Sequence, residues 1–442
     1  MYKFDVALEA KSTMKERVIW MLYLGTVFFL LYGSANQLTS LTAPHPSFVI
    51  DWENSIPFVD AFIVPYMSSD LMFVIAFLLP YTRLELRILA LRVFFIVLLS
   101  VVIFVLFPLQ FSFEKPTIEN FKFLFKALEA DLPFNQLPSL HVGFVVILWY
   151  SMAPKINSLL VKMMLFSWFI LIVASTLLVY QHHFIDLPTG AMVGFLAIYL
   201  IHKKSESKLL RAFMTPRSLK MAFYYLVGAI IFMVLAFKFS TIWFLFIWLF
   251  ASLLTVSVAY AFGWEWLLVS KDSKANLFQK LFLLPYFLGN YLSLQYYSKK
   301  LKPFSKVEEG LYIGRYLKEN EYQALKEQNI NHSLNLALEQ QFQKPVLKEK
   351  RLALMDQTIQ NPKALHEAVL YIEEHDGVYV HCALGLSRSI LVISAWLIYH
   401  GKSLDEVYEI LEKVRPKYVK SEYMRINLEI YSRMVSRLKF FR

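Results

Sequence analysis

Eight apolar stretches crowd the first 262 residues, and no other feature restricts the possible folds of this chain as severely. They run over about Val18–Gln37, Phe58–Pro80, Leu89–Leu109, Leu140–Met152, Leu159–Tyr180, Leu187–Ile201, Met221–Phe237 and Thr241–Phe262. Their length and apolarity match the hydrocarbon thickness of a bilayer, so each is expected as a spanning helix. The fourth and sixth are short unless their polar starts also enter the bilayer. Of the whole chain, 57% is hydrophobic and 17% aromatic, too apolar for a soluble enzyme, and the excess lies before residue 300. An α-helical polytopic membrane domain is therefore expected over the first two-thirds.

Lysines and arginines orient these spans. The N-terminus carries Lys3, Lys11, Lys15 and Arg17, and the even-numbered loops carry Arg83 and Arg87, Lys155 and Lys162, then Lys203, Lys204, Lys208, Arg211, Arg217 and Lys220. The odd loops are poor in cations, which puts them outside and both termini in the cytoplasm. The segment Met1 to Arg17 is charged and the apolar run after it has full span length, so no cleavable signal peptide is expected. The expected location is a bacterial inner (plasma) membrane, as a multi-pass protein. Much of the net charge of +11 is this bias and an attraction to anionic lipid, and nucleic acid need not be invoked. One stretch leaves two readings open: Leu277 to Tyr297 is an interfacial helix or a ninth span. Its Pro285, Gly289, Asn290 and Gln295, with lysines at both ends, suit the interface better.

Beyond the spans, the run His381-Cys382-Ala383-Leu384-Gly385-Leu386-Ser387-Arg388-Ser389 holds the only cysteine. The apolar Val378-Tyr379-Val380 leads in and a helix-compatible Ile390 to Tyr399 leads out. In such a strand, loop and helix, the amides of Ala383, Leu384, Gly385, Leu386 and Ser387 converge on one point, and the helix adds its positive end. That field binds a dianion and favours a thiolate at Cys382. Arg388 can grip two phosphoryl oxygens with its planar fork. A lone, disulfide-free cysteine also agrees with a reducing compartment.

HCALGLSRS resembles the signature of the protein tyrosine and dual-specificity phosphatases: His-Cys, five residues, then Arg-Ser/Thr. The resemblance covers residues 305–442 and implies an α/β cysteine-dependent phosphatase domain with a mostly parallel sheet. It implies a phosphocysteine intermediate on Cys382 and an upstream aspartate that protonates the leaving oxygen. Asp356 fits that role, following the strand-like Arg351 to Met355; the alternative is that it caps the helix Ala364 to Glu374. Ser389 would hydrogen-bond the departing thiolate, and His381 would support the loop. No variable loop position is basic, which disfavours highly phosphorylated inositol headgroups.

Two polar clusters open the fourth and sixth spans: Leu137-Pro138-Ser139-Leu140-His141 and Gln181-His182-His183-Phe184-Ile185-Asp186. Polar groups at membrane depth are costly and mark function. His182 and Asp186 stand one helical turn apart, so the carboxylate can orient the imidazole. An oriented histidine and a second histidine acting as acid suffice for phosphoryl transfer. These residues resemble the type 2 phosphatidic acid phosphatase superfamily, nearest its sphingolipid synthase branch, over residues 17–202. The resemblance implies His182 as nucleophile, Asp186 as its partner and His141 as acid/base. Two departures weaken it. Ser175-Thr176 stands where the superfamily has Ser-Arg, and the first motif is absent, so the phosphate-holding cations are missing or replaced by Lys115, Lys122 or Lys126.

The expected organisation is a six-span lipid phosphatase-like domain over 1–202, two further spans and an interfacial linker over 203–304, and the phosphatase domain over 305–442. No zinc spacing or nucleotide-binding glycine loop appears, so neither metal nor cofactor is expected. The expected substrate is a phospholipid or a membrane-proximal phosphoprotein. In the competing reading the membrane part transfers a phosphorylated headgroup or only anchors a signalling phosphatase.

Overall fold

The computed structural model describes residues 10–118, 120–129, 131–202, 215–239, 241–270, 273–342 and 345–440. Lys3, Lys203, Lys204, Lys208 and Arg211, used above for orientation, lie outside them. The described residues divide into two compact units, one within residues 3–211 and one within residues 212–442.

The first unit is helical: α1 (Met14–Ser40), α2 (Ile63–Leu78), α3 (Arg83–Leu106), α4 (Lys122–Leu128), α5 (Leu140–Met152), α6 (Leu159–Leu178) and α7 (Asp186–Leu200). Starts are set by side-chain caps: Thr13 forms a capping box with Glu16, and Thr82 accepts the Glu85 amide. The helices α5 and α7 pack with almost no side chain between them. A Cβ on Gly190 would lie 2.2 Å from the Ser139 carbonyl oxygen, and the Ser139 amide donates to the Asp186 carbonyl at 3.0 Å. That approach brings the two sequence clusters to one place.

The second unit begins with a hairpin, α8 (Pro216–Lys238) and α9 (Trp243–Phe262), followed by α10 (Leu277–Phe282) and α11 (Leu284–Ser298). The whole chain has six helices, among the described residues, that are long and apolar enough to cross a membrane. They correspond to the first, second, third, fifth, seventh and eighth stretches; α5 and α7, at 13 and 15 residues, are shorter. The stretch Leu277 to Tyr297 is broken into α10 and α11, neither of that length.

Five strands follow: β1 (Phe304–Glu308), β2 (Leu311–Gly314), β3 (His332–Ala337), β4 (Lys348–Leu354) and β5 (Val378–His381). Their order is β1-β2-β5-β3-β4. Only β1 pairs antiparallel, so the sheet is mixed, with a parallel body. Strand alternation makes two faces. Leu311, Ile313, Leu334, Leu336, Val378 and Val380 enter one core with α13 (Pro362–Glu373), α14 (Arg388–Tyr399), α15 (Leu404–Val414) and α16 (Glu422–Phe440). Tyr312 and Tyr379 enter another with α12 (Tyr322–Lys326). The loop 382–387 thus leaves the carboxyl end of a central strand and enters a buried helix.

Candidate active sites

The geometry of the 382–387 loop is imposed from outside it. The Ala383 carbonyl accepts from the Tyr316 amide at 2.9 Å, the Gly385 carbonyl from Arg415 Nε at 3.2 Å, and the Leu386 carbonyl from the Val419 amide at 2.8 Å. A trans peptide carries its N–H opposite its C=O, so anchoring these three oxygens outward turns the amides of Leu384, Leu386 and Ser387 inward. The Gly385 amide points at Cys382 Sγ, 3.3 Å away. Gly385 itself has φ +69°, and a Cβ there would stand 2.4 Å from the Gly314 backbone, so glycine is required. Ser387 is tied to the Tyr423 hydroxyl of α16.

Cys382 is 2% exposed, and Ser389 Oγ lies 3.5 Å from its sulfur. Arg388 is clamped by a residue that sequence reasoning missed: Nη1 and Nη2 reach the two Glu339 carboxylate oxygens at 2.7 and 2.5 Å. Nη1 also meets the Leu336 and Leu354 carbonyls. Burial opposes the Arg388 charge, but the Glu339 and Asp356 carboxylates outweigh it and hold the guanidinium protonated well above its ordinary range. One Nη2 hydrogen and the Nε–H are not taken up by Glu339, a pair suited to two phosphoryl oxygens. Glu339 sits just after β3 in Leu338-Glu339-Gln340-Gln341, and nothing in its spacing marks it. Its only signal is a carboxylate at a strand's carboxyl end.

Asp356 lies two residues past β4, with Oδ1 3.5 Å from Arg388 Nε, an ion pair rather than a hydrogen bond. It does not cap α13; Asn361 does, accepting the Lys363 amide. The loop after Asp356 is braced by Gln360, whose side chain donates to the Met355 and Thr358 carbonyls, and by Asn427, which accepts the Gln360 amide at 2.7 Å. His381 packs on Tyr379 and Tyr316, and burial pushes it down to about 4.

The histidine cluster lies in the first unit. His182 Nδ1 is 3.1 Å from Asp186 Oδ2, as the spacing suggested, although α7 starts only at Asp186 and a turn makes the pairing. The ring centroids of His141 and His182 are 6.1 Å apart. Both line a cavity of about 370 Å³ with Tyr32, Asn36, Tyr66 and Asp131. No lysine or arginine lines it among the described residues; Lys115 acts on the lining residue Asp131 from beyond the lining, and Lys122 and Lys126 are not lining residues. Burial pushes the Asp131 carboxyl above its ordinary value, against the opposing pull of Tyr32, His182 and Lys115. His183 is committed to structure: Nδ1 meets Glu53, and Nε2 meets Ser47 and Ser112. The first motif's absence leaves Asp131 and Glu53 without a sequence signal. Among the described residues, no group of three or more His, Cys, Asp or Glu side chains could hold a metal ion.

Comparison with known proteins addresses the second unit. Residues 311–433 match the family model "Dual specificity phosphatase, catalytic domain". Over 121 residues the chain is 28% identical to dual specificity protein phosphatase 1B of Arabidopsis thaliana, covering 26% of this chain and 72% of that protein. Solved structures similar to it include PTPMT1 in complex with PI(5)P, at 19% identity and a TM-score of 0.30 over 31% of this chain and 99% of that one. DUSP15 is similar at 22% identity and a TM-score of 0.27, over 32% and 96%. Residues 311–433 are therefore a dual-specificity phosphatase catalytic domain, and the activity it implies is that of a phosphoric monoester hydrolase.

Proposed function

We propose that this chain is a membrane-embedded phosphatase that hydrolyses phosphate monoesters of lipids at the membrane surface through Cys382. Cys382 Sγ attacks phosphorus, the bond to the leaving oxygen breaks, and that oxygen takes a proton from Asp356. Water then attacks the phosphocysteine and gives its proton to Asp356 as the P–S bond breaks, with Ser389 hydrogen-bonded to the departing thiolate. Arg388 and the loop amides of residues 383–387 hold the equatorial oxygens. The observation that carries this reading is the loop whose carbonyls are held outward around the sulfur, beside an arginine clamped by Glu339. Membrane association is supported by the six long apolar helices, and the cytoplasmic side by the distribution of cations.

A second reading concerns the first unit, and the His182–Asp186 pair facing His141 across one cavity favours it. There His182 would take a phosphoryl or phosphorylated headgroup from a lipid, with His141 protonating the leaving oxygen. The alternatives are a headgroup transferase and an inert anchor for a phosphatase of signalling proteins. The test is purified full-length protein assayed on phosphatidic acid, phosphatidylglycerophosphate and a phosphotyrosine peptide. Lipid turnover that survives Cys382→Ser and is lost in His182→Ala establishes a second site. Turnover of the peptide alone removes the lipid reading.

A further inference from the structure

The loop bearing Asp356 is held by residues far outside the catalytic domain. Gln357, next to Asp356, has φ +58°, a left-handed conformation that is strained for a non-glycine residue and persists only where neighbours enforce it. Two neighbours come from the start of α8. Thr215 Oγ1 donates to the Gln357 carbonyl at 3.2 Å, and Arg217 Nη1 approaches Gln357 Oε1 at 3.5 Å. The segment after α9 makes the same kind of attachment. Ser273 Oγ accepts the Ala353 amide of β4 at 2.9 Å, and its carbonyl accepts from Gln341, two residues past Glu339. Gln341 Oε1 in turn accepts the Ala275 amide at 2.8 Å. Phe287 of α11 packs edge-on against Phe342. Burial raises the Tyr286 hydroxyl well above its ordinary range, with Tyr260 and the Glu339 carboxylate adding to it. Both segments that flank Arg388 are thus tied to residues 215–287, before the family match begins at 311.

We propose that the α8–α9 hairpin is a working part of the phosphatase, with Thr215 and Arg217 as positioning residues that hold the Asp356 loop for proton transfer. The attachment ends on the residue beside the acid and touches neither Cys382 nor the 383–387 loop. Its loss displaces the acid and leaves nucleophile and phosphate cradle in place. Formation of the phosphocysteine suffers where the leaving oxygen needs a proton and is spared where it does not, while the hydrolysis step, in which Asp356 is the base, slows alike for both. A membrane helix thereby sets the efficiency of the cytoplasmic chemistry. The inference rests on the proposed acid role of Asp356.

The test uses the full chain in detergent with two substrates, phenyl phosphate, whose leaving group needs the proton, and 4-nitrophenyl phosphate, whose leaving group does not. Thr215→Val and Arg217→Gln should each lower kcat/KM, which reports phosphocysteine formation and not its hydrolysis, about tenfold on phenyl phosphate and less than about twofold on 4-nitrophenyl phosphate. Thr215→Ser should restore the first rate. Asp356→Asn is the reference and should show the same selectivity, more strongly. If Asp356→Asn is selective while both hairpin variants lose the two activities in parallel, or lose neither, the proposal is overturned alone. If Asp356→Asn shows no selectivity, the acid assignment falls and the proposal with it.

Discussion

Around Cys382, the charge of a phosphate would be met by backbone amides and a guanidinium. Around His182 the cavity lining would offer imidazoles, with Lys115 acting through Asp131 from beyond it, and the other ionisable lining groups are the carboxylates of Asp70 and Asp131 and two tyrosines. The first arrangement is built before substrate arrives, because three outward-held carbonyls and the Glu339 clamp leave it little to reorganise. It suits the dianion of a monoester. The second places carboxylates near any bound phosphoryl group, which disfavours a dianion and fits a singly charged phosphodiester better. If the histidine cluster handles phosphoryl groups as proposed, the two clusters need not share a substrate.

The sharpest way to break this comparison is to remove each nucleophile in turn. Cys382→Ser should lower hydrolysis of 4-nitrophenyl phosphate by at least about 10⁴-fold, whereas His182→Ala should leave it unchanged, both measured as kcat/KM. A parallel fall in His182→Ala would mean that the sites are not independent. Next in size is Arg388→Lys. A lysine keeps the charge but loses the fork that meets Glu339 and phosphate together, and kcat/KM should drop about 10²- to 10³-fold. Turnover within tenfold of wild type would show that the amides alone carry the anion.

Smaller effects test how the loop is supported. Glu339→Gln leaves a buried guanidinium without its carboxylate, and should destabilise the second unit by about 3 kcal/mol in denaturant unfolding, with a raised KM. An unchanged midpoint would make the clamp energetically idle. His381 supplies the pH test. Burial holds it at about 4, below the ordinary histidine value of 6.5. Folding therefore favours the neutral ring. The stability this gives is complete above pH 6.5 and is lost as pH falls from 6.5 through about 4, amounting to about 3 kcal/mol. Unfolding of wild type and His381→Gln at pH 7.5 and pH 4 reads it: the difference between the two proteins should shift across that window. A constant difference would mean that the ring does not titrate on unfolding.

Much of this molecule is legible in one dimension, for a physical reason. Long apolar helices announce themselves by length and apolarity, the two properties that a hydrocarbon layer would demand, and the HCALGLSRS loop announces itself because its chemistry depends on adjacent residues. Asp356 was within reach because a short loop after a strand places it. The His182–Asp186 pair came from spacing alone, although a turn and not a helix makes the contact. What could not be read joins residues distant in sequence. The Glu339 clamp on Arg388 spans 49 positions, the Asn427 brace on the Asp356 loop 67, and the Thr215 bond to Gln357 142. The break of Leu277 to Tyr297 into two helices and the antiparallel edge strand β1 belong to the same class.

By itself, then, the sequence determined the chemistry: a cysteine and an arginine on one loop, histidines at the starts of two apolar segments, and a hydrophobic first two-thirds. Each follows from residue type and near-neighbour spacing. Only the tertiary structure decided how that chemistry is held. Which carbonyls are anchored outward, which carboxylate clamps Arg388 and which residues bond to the loop after Asp356 are set by side chains that meet only after the sheet and the hairpin have packed. Their pairing depends on long-range geometry, which no local pattern records.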